Sequence, residues 1–105
     1  MIVIRLFCAG GASTSILAEK MRAAAKDRNL EVTVTFGGVH NLEVMKPEEL
    51  CEADVALLGP QVGYTKSLVE QKCADAGVPL AVIPMRAYGL CDGEAVLDLA
   101  LDLMK

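Results

Sequence analysis

Four short apolar runs, each followed by residues at helical spacing, constrain this chain more than any other feature. Ile2-Val3-Ile4-Arg5-Leu6-Phe7 comes first, and Glu31-Val32-Thr33-Val34-Thr35-Phe36 alternates polar with apolar. Val55-Ala56-Leu57-Leu58 and Leu80-Ala81-Val82-Ile83 are short and wholly apolar. Alternation marks a half-buried strand, whereas continuous apolar runs suit strands covered on both faces. Between the first two runs, Leu17, Met21 and Ala24 recur at helical spacing, which leaves Glu19, Lys20, Arg22 and Lys26 for water. Ser13, Thr14 or Ser15 is predicted to cap that helix. Pro47-Glu48-Glu49 reads as a first helical turn, with its acids opposing the dipole. A further helix is predicted from about Gln61 to Ala76, stopped by Gly77 and Val78-Pro79. The segment Leu97 to Leu103 alternates like a strand, yet it also sets Glu94, Asp98 and Asp102 on one helical stripe. Ala and Leu favour helix and Asp disfavours strand, so a helix capped by Asp92 is predicted, its acidic stripe a solvated face.

A β-α unit repeated four times implies an α/β fold. The expectation is a single four-stranded parallel sheet with helices on both faces, in one domain spanning residues 1–105. Ligands of such sheets bind beyond the carboxyl ends of the strands. With 105 residues, 53% of them hydrophobic, the chain has material for one core. A net charge of -4 and the absence of any basic run argue against a nucleic-acid partner. The four cysteines (Cys8, Cys51, Cys73, Cys91) form no C-x-x-C pair and His40 has no partner near it in sequence, so no zinc site is expected. No run approaches the roughly 18 apolar residues of a membrane span. The apolar start contains Arg5 and lacks a cleavage site, unlike a signal peptide. The expectation is a cytoplasmic protein with reduced thiols, no membrane insertion, no metal and no cofactor.

Cys8 ends the first run and is followed by Ala9-Gly10-Gly11-Ala12-Ser13-Thr14-Ser15 before the helical pattern begins. A thiol at a strand end, before a helix N-terminus, can act as a nucleophile beside an anion site. The thiolate is the reactive form, and helix N-terminal amides favour an anion by about 0.3–1 kcal/mol. The same amides can hold the oxygens of a phosphoryl group. Gly10 and Gly11 permit the positive φ that turns amides inward, and Ser13, Thr14 and Ser15 add hydroxyl donors. Residues Ala9 to Ser15 are therefore the predicted phosphate-binding loop, with Cys8 as acceptor. The other reading is a buried cysteine on a core strand before an ordinary turn. Cysteine phosphatases carry C-x5-R, whose arginine clamps the phosphate, but here Thr14 holds the arginine position. Without that clamp the loop can bind phosphate but is poorly equipped to hydrolyse it. This favours a carrier over a small phosphatase or an arsenate-reductase-like enzyme. A non-catalytic phosphate-binding regulatory module is the rival from a different class. Redox chemistry ranks lower, because Cys8 has no resolving cysteine close in sequence.

The run Leu6 to Ser15 resembles the active-site loop of the lactose/cellobiose-type enzyme IIB components of the bacterial phosphotransferase system (PTS). Ala53 to Tyr64, with Leu58-Gly59-Pro60-Gln61 at its centre, is similar to that family's middle motif. Tyr88-Gly89 with Asp92-Gly93 is similar to its late loop. The chain departs from the cellobiose-type pattern at Ala9, Gly10 and Ala12, and residues 37–51 carry no resemblance. The resemblance implies a relay in which a phosphohistidine on a IIA protein donates to Cys8. Cys8 then passes the group to a sugar bound in a membrane IIC protein, a disaccharide of the lactose, cellobiose or chitobiose class. It also implies a phosphotransferase that works mainly by in-line positioning and amide stabilisation.

Three further residues are candidates at the border of the site. Gln61 reads either as a donor to phosphate or partner, or as a surface residue at a helix start. Tyr64 and Tyr88 can border the site, although a packed ring with a wet hydroxyl is the reading their type favours. His40 reads as an ordinary loop histidine. Cys51 and Cys73 read as small packing residues, and Cys91 as a loop cysteine. A chain ending at Lys105 suggests a freestanding subunit.

Overall fold

The computed structural model describes residues 2–8, 12–38 and 46–104. Among the described residues ten elements follow one another: β1 (Ile2–Cys8), α1 (Ala12–Asp27), β2 (Val32–Gly38), α2 (Pro47–Leu50), β3 (Val55–Leu58), a 3-10 helix (Pro60–Thr65), α3 (Lys66–Ala76), β4 (Leu80–Val82), α4 (Met85–Gly89) and α5 (Gly93–Leu103). The strands form one parallel sheet in the order β2-β1-β3-β4, as the β-α alternation predicts.

Side-chain alternation along β1 divides the core in two. Ile4 and Leu6 face α1 and α5, where they meet Leu17, Met21, Val34, Val55, Leu57, Val96 and Leu97. Phe7 faces the other way, into a second cluster with Leu50, Ala56, Leu58, Val62, Val69 and Cys73. The wholly apolar β3 is buried at every position, which is why its sequence shows no alternation. Both faces of the sheet are thus covered by helices.

Several boundaries differ from the sequence expectation. Helix α1 begins at Ala12, so Thr14 lies inside its first turn instead of capping it. The helix expected from Gln61 to Ala76 is kinked at Val62, whose conformation is non-helical (φ -115°, ψ 16°), and becomes α-helical only from Lys66. Val62 and Thr65 are both buried, and three residues per turn eclipse them on one side. The Thr65 hydroxyl closes this turn on the Val62 carbonyl at 2.6 Å. Gly77 stops α3 as expected, with φ of 74° and its amide on Ala74. The run Pro84 to Asp92, which carries no strong pattern, holds the five-residue α4. Asp92 caps α5, its side chain accepting from the Ala95 amide at 3.1 Å. The acidic stripe of α5 is not simply solvated: Arg28 donates to Asp98 at 2.6 Å and lies 3.8 Å from Glu94. That hydrogen bond to Asp98 also raises the Arg28 pKa above its ordinary value.

Candidate functional site

The site forms where the strand order reverses. β1 leads through α1 to β2 on one side of it, and β3 lies on its other side, so the carboxyl ends of β1 and β3 form the topological switch point at which sheets of this kind bind ligands. Cys8 is the last residue of β1, level with Gly38 of β2. Phe7 pairs with Leu58, and the Gly59 amide extends that ladder by donating to the Phe7 carbonyl at 2.7 Å. Gly59 is thereby pressed against Cys8. A Cβ added at Gly59 would stand 3.1 Å from Cys8 Cβ, 3.0 Å from Gln61 Oε1 and 3.5 Å from Tyr88 Cε2. Three segments far apart in sequence therefore converge on the space above one glycine.

Cys8 and Thr14 are each only 2% exposed, and Tyr88 is 8% exposed. Thr14 Oγ1 shares a hydrogen bond with Cys8 Sγ and a second, of 3.2 Å, with Tyr88 Oη. The thiol is buried, as the alternative reading of a core cysteine requires. It nevertheless sits among hydroxyls at a strand end, and not in a purely apolar layer. Tyr88 reaches Thr14 because α4 starts immediately after Pro84 at the end of β4, its first turn closed by the Tyr88 amide on the Pro84 carbonyl at 3.0 Å. Its ring packs in the α1/α5 core. Its hydroxyl is not turned to water, contrary to expectation, because Thr14 provides a buried partner.

Gln61 is exposed and aims its amide oxygen at the space over Gly59. Ser15 is half-buried in the first turns of α1. Ala9, Gly10, Gly11 and His40 lie outside the described residues, and the same holds for the side chains of Ala12 and Ser13. Tyr64 is 77% exposed, so its ring is not packed; a 3-10 turn sends it outward while Val62 and Thr65 take the inner side. Cys51 is exposed too, its thiol on the Glu48 carbonyl at 3.1 Å, and it is not the packing residue expected, because α2 ends one residue earlier. Among the described residues no three His, Cys, Asp or Glu side chains gather as for a metal ion, and no helix is long and apolar enough to cross a membrane.

Comparison with known proteins decides the family. Residues 3–99 match the family described as the PTS system lactose/cellobiose specific IIB subunit. The chain belongs to this family. It is 40% identical over 103 residues to the cellobiose-specific EIIB component of Lactococcus lactis, covering 97% of this chain and 95% of that one. The oligo-beta-mannoside-specific EIIB component of Bacillus subtilis is 34% identical over 101 residues, covering 96% and 94%. Among solved structures, the cellobiose-specific IIB component of Borrelia burgdorferi is 32% identical with a TM-score of 0.76, covering 98% of this chain and 91% of that one. The lactose-specific IIB domain of Streptococcus pneumoniae shares the fold at 16% identity, with a TM-score of 0.82 over 99% and 98% of the two chains.

PTS IIB components are phosphotransferases that work with IIA and IIC proteins, and this IIB subunit is of the lactose/cellobiose type. Some relatives carry the domain fused in one chain, as in the lactose-specific EIICB component of Staphylococcus aureus. Two features of this IIB site differ in how far the sequence announces them. The Tyr88 hydroxyl reaches Thr14 only through the placement of α4, 74 residues away, and carries no local signal. Gly59 did carry one: a glycine directly after an apolar central strand marks a close approach.

Proposed function

We propose that this IIB subunit is a phosphocarrier whose acceptor atom is Cys8 Sγ. A phosphohistidine on a cytoplasmic IIA protein donates the phosphoryl group in line with the sulfur. The N–P bond breaks as the S–P bond forms, and a sugar hydroxyl held by a membrane IIC protein then takes the group from sulfur. The backbone amides of residues 9–15 hold the phosphoryl oxygens, and α1, whose N-terminus favours an anion, begins within this run at Ala12. Catalysis is positioning and electrostatic stabilisation of the transferring group. Gln61 borders the group from the β3 side. The sugar is a β-linked disaccharide or its close kin, by analogy with the named relatives, and residues 1–105 act as one domain in the cytoplasm.

The observation that carries this reading is the position of Cys8 at the topological switch point, with a hydroxyl on its sulfur, in a chain of this family. Incubation with phosphoenolpyruvate, the general PTS proteins and a IIA protein tests it by intact mass at neutral pH. Wild type gains one phosphoryl group and Cys8→Ser gains none. Adding IIC membranes with cellobiose or lactose discharges the adduct. An adduct that survives Cys8→Ser overturns the assignment.

A further inference from the structure

Thr14 Oγ1 has one proton and two hydrogen-bond partners, Cys8 Sγ and Tyr88 Oη. A thiolate can only accept, so in the reactive state of Cys8 the single Thr14 proton must lie on the sulfur. The Thr14 oxygen must then accept from Tyr88, whose hydroxyl is the donor facing it. Burial makes this polarity matter, because Cys8 and Thr14 are each 98% removed from water and solvent is a poor substitute for a lost donor.

We infer that Tyr88 is a positioning residue for Cys8, holding the Thr14 hydroxyl proton on the sulfur. This inference deepens the phosphocarrier reading and rests on Cys8 being its acceptor. The same polarity serves the phosphorylated state, since a Thr14 proton kept away from Tyr88 is free to meet a phosphoryl oxygen when sulfur no longer carries charge. Among the described residues no charged group on the surrounding elements takes this role, and Glu94, Asp98 and Asp102 of α5 are exposed. Arg5 of β1 points to the opposite face of the sheet toward Glu52, and Glu19, Lys20, Arg22, Lys26 and Asp27 of α1 and Arg86 of α4 are exposed. The 3-10 helix has no charged residue. Among the described residues the Tyr88 phenol is the one ionisable group besides Cys8 itself with a hydrogen bond to Thr14.

Thiolate absorbance near 240 nm, followed against pH with the matching Cys8→Ser protein subtracted, reads the state of Cys8 without any phosphoryl transfer. Tyr88→Phe keeps the ring and removes the donor. Loss of one hydrogen bond coupled to a charged group moves the midpoint upward by roughly one pH unit, which is about a tenfold loss of thiolate below it. Thr14→Val moves the midpoint at least as far, and Thr14→Ser restores it. Tyr88→Phe adds nothing in the Thr14→Val background, because both substitutions break one chain. A second measurement leaves folding untouched: 3-fluorotyrosine in a Tyr64→Phe protein makes Tyr88 a stronger donor and moves the midpoint downward. A Tyr88→Phe profile that superimposes on wild type, or additive shifts at the two positions, overturns the inference. The mass experiment fails separately if Cys8 is not the acceptor, so the two failures are told apart.

Discussion

At the scale of single residues, Gly59 is the most exposed to test, because its backbone is ordinary (φ -64°, ψ 151°) and only space demands glycine. Gly59→Ala places a methyl 3.1 Å from Cys8 Cβ and 3.0 Å from Gln61 Oε1, so Cys8 or Gln61 must give way. Overpacking of this kind costs about 1–3 kcal/mol, and if the Cys8 sulfur is the acceptor proposed above, displacing it slows transfer, by up to about a hundredfold for a shift of about 1 Å. Gly89→Ala is the control, since no atom lies within 4 Å of its added Cβ, and it is expected to stabilise by up to about 1 kcal/mol. Single-turnover phosphorylation and urea unfolding of the two variants check both outcomes. Cys8 was legible from its place between strand and glycines, and Thr14 as the residue standing where a phosphatase has arginine. Its hydrogen bonds were not legible, because neither Tyr88 nor the rotamer of Thr14 is fixed by anything nearby in sequence. Cys73 supplies a pH signature away from the site. Burial pushes its thiol above the ordinary value, with the charge of Lys72 pulling weakly the other way. Its contribution to stability is therefore whole below the unfolded thiol pKa and is lost as pH rises through the higher folded value. Urea unfolding should show stability falling above about pH 9, and Cys73→Ala should flatten that fall.

The elements follow from sequence where a near-continuous apolar run marks a doubly covered strand, as in β1 and β3, or where one period dominates, as in the buried stripe Leu17, Met21 and Ala24 of α1. They depart from it where two demands meet, as at Val62 and Thr65, whose joint burial draws the chain into a 3-10 turn before α3 can begin. The junction of α1 with α5 is backbone against backbone. A Cβ on Gly93 would stand 2.4 Å from the Lys20 carbonyl carbon and 2.6 Å from the Met21 amide nitrogen. Backbone cannot yield there as a side-chain tip can, so Gly93→Ala must part the two helices, at a cost of about 3 kcal/mol or more. The same helix α1 carries Thr14 on its first turn, so phosphorylation should slow together with the loss of stability. Asp92→Ala tests the same junction more gently. It removes the cap on the Ala95 amide, leaves the packing of Gly93 in place, and should cost about 1 kcal/mol in urea unfolding with little change in transfer rate. Equal loss of transfer in both variants would show that the helix junction does not govern the site.

For the whole molecule, the order β2-β1-β3-β4 gathers more than the site at one end of the sheet. Among the described residues the exposed large apolar side chains are Ile16, Phe36, Tyr64, Leu68, Met85, Leu90 and Met104. All but Met104 lie near the end of a strand or in the segments that leave it, and so ring the end where Cys8 sits. The depressions lined by Arg22, Asn29 and Glu31, and by Lys66, Gly77 and Pro79, reach instead to the starts of β2 and β4. Apolar side chains kept in water around the buried Cys8 thiol make sense if a protein surface covers them during the proposed transfer, since burying them contributes affinity and also dries the transferring group. A charge on this rim should therefore slow transfer without touching the chemistry of the thiol. Leu68→Glu and Met85→Glu are expected to keep the melting temperature and the 240 nm titration of wild type. Both should lower the rate of phosphoryl transfer from a IIA protein by about tenfold or more, the scale of one lost interface anchor. Met104→Glu carries the same added charge outside the rim and should transfer at the wild-type rate. If Met104→Glu slows transfer as much as the rim variants do, net charge and not contact explains the effect, and the apolar ring has no part in docking.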